Sequence, residues 1–324
     1  MSLPGDIVLL LTHSQDYFTV DRVAEALTKS GVRPFRLDSD RFPLEIELVA
    51  RISSSELDYR LEYGKEIIAL EQVRAVWMRR IWQPNLEKVA PQFRAACARE
   101  SSVALRSLLS NWQAVRWVDD LQQIEQGENK LRQLEIAREV GLRIPRTLVT
   151  NHPEEVRQFF QSVNGKAIAK LMTPLSTGME GSAFFVYTSV VQPEDLLEAE
   201  TLRYSPMIFQ EQIPKHRELR VVFVAGNFFV GALDASRYSA TTMDWRRAAM
   251  TDSPWESDDL PDAVASKLKA LMAKLKLIFG AIDLIETPDG EYVFLEVNPT
   301  GEWGMLERDL GYSISGAIAN ALLS

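Results

Sequence analysis

The sequence predicts an α/β unit at the front of the chain, followed by two α+β units. Three observations carry this. Residues 7–11 are Ile-Val-Leu-Leu-Leu, an unbroken apolar run of the kind found in strands covered on both faces, as in a parallel sheet. Val20, Val23, Ala24 and Leu27 then fall at helical spacing before Gly31, so that with a strand at 33–37 they complete a β-α-β unit. From residue 207 onward strands dominate, at 207–212, 218–225, 228–234, 281–286 and 292–298, with one helix near 261–275 between them.

The elements between follow in order. The turn after the first strand, Thr12-His13-Ser14-Gln15-Asp16, has no Gly-x-Gly-x-x-Gly and supports no dinucleotide site. Alternating segments run to about residue 78, and a long helical pattern spans 93–109. A boundary near residue 118 divides the chain into 1–117, 118–205 and 206–324. In the middle part, residues 129–140 read as a helix stopped by Gly141, and 145–150 as extended chain. A second helix, capped by Asn151, buries Val156, Phe159, Phe160 and Val163. Strands at 166–171 and 182–187, joined by a small-residue loop at 173–181, read as an antiparallel pair closed by a flap, and a further helix is expected at 193–200.

Composition narrows the function. No apolar run approaches the roughly 20 residues of a membrane helix, and the longest, 7–11, lacks the basic flank and length of a signal peptide, so a cytoplasmic protein with no membrane partner is expected. The single cysteine, Cys97, rules out an internal disulfide and is expected as a small buried thiol. His13, His152 and His216 lie too far apart in sequence to suggest a zinc site or a histidine triad, leaving oxygen ligands for any metal. A net charge of −9 argues against a nucleic-acid partner. Arg74, Arg79, Arg80, Lys88, Arg94, Arg99 and Arg106, against only Glu87 and Glu100, form either a solvated helix face or a face toward something anionic.

Acids appear where the pattern demands core. Asp283 interrupts the strand Ala281-Ile282-Asp283-Leu284-Ile285 and needs a partner, because an unpaired buried carboxylate costs several kcal/mol. The turn Pro288-Asp289-Gly290 leads into a strand whose period of two puts Glu296 and Asn298 on one face, Leu295 and Val297 on the other. Asp283, Glu296 and Asn298 then converge as oxygen ligands suited to magnesium, or else form a salt bridge to an arginine. Lys170 ends an apolar strand before the loop containing Ser176 and Gly178, the arrangement of a phosphate clamp and equally of an ordinary hairpin. Gln210-Glu211-Gln212-Ile213 can offer backbone groups to an adenine edge and is equally an ordinary strand. Glu218 and Arg220 share a strand face as a ribose acceptor and a phosphate-binding guanidinium, or as a surface ion pair.

In this order Lys130, Lys170, the small-residue loop, Glu211, Ile213, Glu218, Arg220, Asp283 and Glu296-Val297-Asn298-Pro299 resemble the ATP-grasp ligases over residues 118 to 324. The resemblance implies an ATP-grasp fold behind a parallel-sheet pre-ATP-grasp domain, with ATP and Mg2+ between two α+β subdomains. Lys130 and Lys170 become phosphate ligands, Glu211 and Ile213 adenine contacts, Glu218 a ribose contact, and Asp283, Glu296 and Asn298 the metal ligands. Phe35-Arg36-Leu37-Asp38-Ser39-Asp40-Arg41-Phe42-Pro43, Val76-Trp77-Met78-Arg79-Arg80, Asp244-Trp245-Arg246 and Asn298-Pro299-Thr300-Gly301-Glu302-Trp303 are similar to the peptide-cyclising enzymes of microviridin (graspetide) pathways. Leu9-Leu10-Leu11-Thr12-His13-Ser14 and Asp21-Arg22-Val23 look most like the lactam-forming branch. The partner so implied is a precursor peptide with a leader, read near 182–187 and 193–200, and an acid-rich core drawn in by Arg79 and Arg80; a homodimer is also implied. Catalysis proceeds through an acyl phosphate with ADP release, with Arg220 at the phosphates. Arg237 and Arg246 are candidates for holding the carboxylate and oxyanion, or are solvated loop residues. An ester-forming cyclase, a ligase adding a free amino acid, and a non-catalytic ATP-binding regulator are the alternatives.

Overall fold

All six residues of the first strand, β1 (Ile7–Thr12), are buried, because helices cover it on both faces. Its neighbours form in chain order: α1 (Thr19–Lys29), β2 (Arg33–Asp38), an antiparallel trio β3 (Ile46–Ile52), β4 (Leu57–Tyr63) and β5 (Glu66–Ala69), then β6 (Val73–Met78), α2 (Pro91–Ser110) and β7 (Arg116–Val118). β2, β1, β6 and β7 make a parallel sheet in that order. Val8 and Leu10 pack with Val20, Val23 and Leu27 of α1. Ile7, Leu9 and Leu11 pack the opposite way, against Leu105, Leu108 and Leu109 of α2. That division explains the unbroken apolar run. Cys97, on α2, is only half-buried. The computed structural model describes residues 5–112, 115–172, 188–235 and 255–324.

The second part contains α3 (Leu121–Gly127), α4 (Lys130–Glu139), β8 (Thr147–Thr150), α5 (Pro153–Ser162), β9 (Ala167–Lys170), β10 (Ser189–Val190), a 3-10 segment (Pro193–Tyr204) in place of the expected helix, and β11 (Met207–Glu211). Asn129 caps α4, its side chain accepting from Arg132 N at 3.1 Å, and Gly141 follows with φ +80°. The expected cap of α5, Asn151, lies one residue too early. His152 occupies the cap without a side-chain bond, and Pro153, whose φ is preset for a helix, sits just inside the start. β10, β9, β11 and β8 form an antiparallel sheet, so β11 pairs with strands N-terminal to the boundary drawn at residue 205. The expected strand at 182–187 and the loop before it lie outside the described residues.

The third part holds β12 (Arg217–Val224), β13 (Asn227–Asp234), β14 (Glu256–Asp258), α6 (Asp262–Leu275), β15 (Phe279–Glu286), β16 (Tyr292–Asn298), α7 (Gly304–Leu310) and α8 (Ile314–Leu323). Its antiparallel sheet runs β14-β13-β12-β15-β16. Leu219, Val221 and Ile282 pack under α4 and α6. From the other face Val222 and Val224 join Leu306, Ile314, Ile318 and Leu322 of α7 and α8 in the cluster that also holds Val8, Leu10 and α1. Among the described residues no helix is long and apolar enough to cross a membrane.

Candidate active site

Strand register assembles the polar row. Arg220 of β12 stands opposite Asp283 of β15, which stands opposite Glu296 of β16. Arg220 Nη1 donates to both Asp283 oxygens, at 2.7 and 2.9 Å. Asn298 Nδ2 donates to Glu296 Oε1 at 3.3 Å and reaches Asp283 Oδ2 at 3.5 Å. The arginine partner and the converging carboxylates, read as alternatives in the sequence, are present together, with the Asn298 amide nitrogen turned toward both acids. One expectation fails here: Leu295 and Glu296 both line the cleft. The register shifts beside Asp283, so that Leu284 faces Phe294 and Leu295 is extra. Such a bulge breaks the period of two.

Facing this row, β9 brings Lys170 and β11 brings Gln210 and Glu211, followed by Gln212 and Ile213; the two sheets line one cleft between them. Ile168, Ile213, Leu284, Ile285 and Leu295 make one end apolar. Glu211 N and Gln212 N donate to Arg146 O and Lys166 O, whereas Ile213 N donates to no backbone carbonyl among the described residues. Glu218 accepts from Lys215 at 2.5 Å. At the other end Lys130 donates to Glu296, and Lys170 Nζ lies 4.0 Å from the same carboxylate oxygen.

Burial by itself would raise the Glu296 carboxyl. The nearby Lys170 and Lys130 charges, with hydrogen bonds from Lys130 and Asn298, override it and hold Glu296 well below the usual glutamate range. Burial lowers Lys170, opposed by Glu296 and reinforced by Lys130. Two ammonium groups share one carboxylate here, so the pair carries surplus positive charge that phosphate oxygens can neutralise.

The first sheet also reaches this site, through residues whose role the sequence did not reveal. Arg79, just past β6, is 2% exposed and donates to Glu302 Oε2 and Thr300 O, both at 2.5 Å. Glu302 O in turn accepts from Arg220 Nε and Nη2, at 3.2 and 2.9 Å. Arg79 is therefore an internal strut, not a surface charge facing a peptide as expected. Its only sequence signal was a charge at the end of a buried strand. The motif at 35–43 also braces the interior, since Arg36 Nη2 donates to His13 O and Asp16 O, and Asp40 accepts from Ser14, fixing the turn after β1.

Lys170, Glu211, Ile213, Glu218, Arg220, Asp283 and Glu296 thus line one cleft, and Lys130 and Asn298 join them through Glu296. Ser176, Gly178, Arg237 and Arg246 lie outside the described residues.

A family model for the MvdD pre-ATP grasp domain matches residues 7–125, and one for the RimK-like ATP-grasp domain matches 127–322. Among solved structures, macrocyclase MdnB from Microcystis aeruginosa MRC is 52% identical, with 98% of this chain and 99% of that chain covered and a TM-score of 0.85. Macrocyclase MdnC from the same organism, bound with precursor peptide MdnA, is 33% identical over 98% and 99%, with a TM-score of 0.88. A Chryseobacterium gregarium RiPP-associated ATP-grasp ligase, in complex with ADP and a leader and core peptide, is 30% identical over 98% and 96%, with a TM-score of 0.91. No curated protein sequence matches the chain.

Proposed function

Since the chain belongs to the microviridin-type ATP-grasp ligases, we propose that it cyclises a ribosomally made precursor peptide, joining an Asp or Glu carboxylate to a Lys amine as a lactam. One observation carries the chemistry: Lys130, Lys170 and Arg220 converge on the Asp283–Glu296–Asn298 set beside the cleft between the two sheets. The donors fit ATP and Mg2+, since two carboxylates and an amide oxygen suit a hard cation and the lysines suit phosphates. The N-terminal likeness to lactam-forming enzymes supports the choice of nucleophile.

When bound, ATP with magnesium supplies the phosphoryl group that converts the peptide carboxylate to an acyl phosphate, from which the attacking amine displaces phosphate with loss of a proton. The chain does the rest. Glu211, Ile213 and Glu218 orient the nucleoside at the apolar end, Asp283, Glu296 and Asn298 hold the cation, and Lys130, Lys170 and Arg220 spread the charge that develops at the transferring group. Arg237 and Arg246 remain the proposed holders of the carboxylate and of the oxyanion formed on amine attack.

The test is intact-mass spectrometry of a microviridin-type precursor, linear and lactone-bearing, incubated with the protein, ATP and magnesium. Loss of one water mapped to a Lys–Glu or Lys–Asp link is the expected result. Loss mapped to Ser or Thr would make the enzyme an ester-forming cyclase. No loss from either peptide, with ADP released on another carboxylate and amine, would replace the cyclase with a general ligase.

A further inference from the structure

Arg80, the neighbour of the Arg79 strut, is half-buried. Its backbone N–H donates to Leu11 O at 3.1 Å, but among the described residues no hydrogen bond or ion pair engages its guanidinium. The two carboxylates whose charge reaches it, Glu302 and Asp16, are already taken. Glu302 accepts from Arg79 and from the N–H groups of Trp303 and Gly304, at 3.2 and 2.9 Å. Asp16 accepts from the Thr12 and Thr19 hydroxyls, at 2.5 and 3.2 Å, and lies 3.6 Å from Arg79. Burial, with the like charge of Arg79, lowers the Arg80 pKa below the ordinary arginine value. A guanidinium has five donors in a planar fork, and leaving them partly desolvated and unmatched is costly. The place is built for an anion that this part of the chain does not supply.

Its surroundings are shaped as well as charged. The His13 ring, 4% exposed and near enough to feel the Arg80 charge, stacks on Trp82 with centroids 3.5 Å apart and planes within 4°. His13 Nδ1 is buried without a partner among the described residues, and Trp82 keeps 37% of its surface open. Glu302 connects this corner to Arg220 and so to Asp283. Arg80 is thus linked, through the neighbouring Arg79 and Glu302, to the Arg220–Asp283 pair of the cleft.

We propose that Arg80, with the His13–Trp82 stack beside it, is a docking site for an acidic side chain of the peptide substrate, presenting the core to the cleft from the N-terminal domain. This deepens the cyclase reading and rests on it for the identity of the peptide. The contact is a two-pronged guanidinium–carboxylate pair, which discriminates against an amide of the same shape.

The experiment measures binding of a linear microviridin-type precursor and of its counterpart with every core Asp and Glu replaced by Asn and Gln. Each is titrated into wild type, Arg80→Ala and Arg80→Lys by fluorescence anisotropy. The readout is the ratio of the two affinities within one protein, in which any unfolded fraction cancels. Wild type is expected to favour the acidic peptide by about tenfold or more, as for a charge-assisted bond. Arg80→Ala should bring the ratio near one, and Arg80→Lys should recover part of it. The proposal is overturned if Arg80→Ala keeps the wild-type ratio, or if wild type binds both peptides alike or neither. An Arg80-dependent ratio without any loss of water would leave the docking site standing and remove the cyclase reading.

Discussion

Glu296 is where opposing charges are most concentrated. Its folded pKa lies below the ordinary glutamate value because two lysines hold the carboxylate ionised. A carboxyl with a depressed folded pKa contributes stability that is complete above its unfolded value and disappears as pH falls toward the folded one. Melting temperature should therefore drop on acidification below the ordinary glutamate range, and Glu296→Gln should flatten that part of the profile. At neutral pH the same variant should melt lower than wild type, since it leaves Lys130 and Lys170 without their shared counter-charge. Turnover should fall by about a hundredfold or more if Glu296 both holds the cation and orders the lysines. Wild-type turnover in Glu296→Gln would remove it from the site. Asp283 and Glu296 were legible as neighbours in the sequence because a tight turn and strand alternation fix their register. The Arg79–Glu302 pair was not, because its partners are 223 positions apart and no local pattern carries that distance.

At the level of elements, the end of β16 is held by close packing as much as by charge. Gly301 follows it, and a Cβ there would stand 2.4 Å from Ala281 Cβ and 3.0 Å from Asn298 Cβ. Ala281 lies on the strand opposite Asn298, so Gly301→Ala must push β15 and the Asn298 turn apart. Overpacking of this kind costs about 1–3 kcal/mol. The expected outcome is a lower denaturation midpoint together with a higher magnesium concentration for half-maximal turnover; unchanged values of both would show that the turn yields freely. Strand alternation read most of this sheet, since Glu218, Arg220 and Asp283 are placed by simple period two. The bulge that turns Leu295 into the cleft had no sequence sign, because Leu295 is apolar on either face. The cap of α5 was misread because two adjacent residues, Asn151 and His152, both precede Pro153, and only the backbone decides which one ends the turn.

Across the whole molecule, the first sheet and the ATP-grasp domain are tied through Arg79 as well as through the shared core. Arg79 is almost fully buried while the Glu302 side chain is 47% exposed, so removing the arginine should cost about 2–3 kcal/mol, less than for a fully buried pair. Arg79→Met and Glu302→Gln, compared with the double variant by urea unfolding, should give a combined loss smaller than the sum, the signature of a direct pair. The strut also predicts a lower kcat in Arg79→Met, because Arg220 hangs from the same Glu302 backbone. α8 makes a further connection: Ile314, Ile318 and Leu322 close the cluster that Val8, Leu10, Val20 and Val23 begin. On the ribosome this reverses the usual advantage of an N-terminal domain. Its first strand and helix are made early, yet the helix that shields them emerges only after almost everything else, so the nascent chain carries an uncovered greasy face through most of its synthesis and should depend on chaperones while it does.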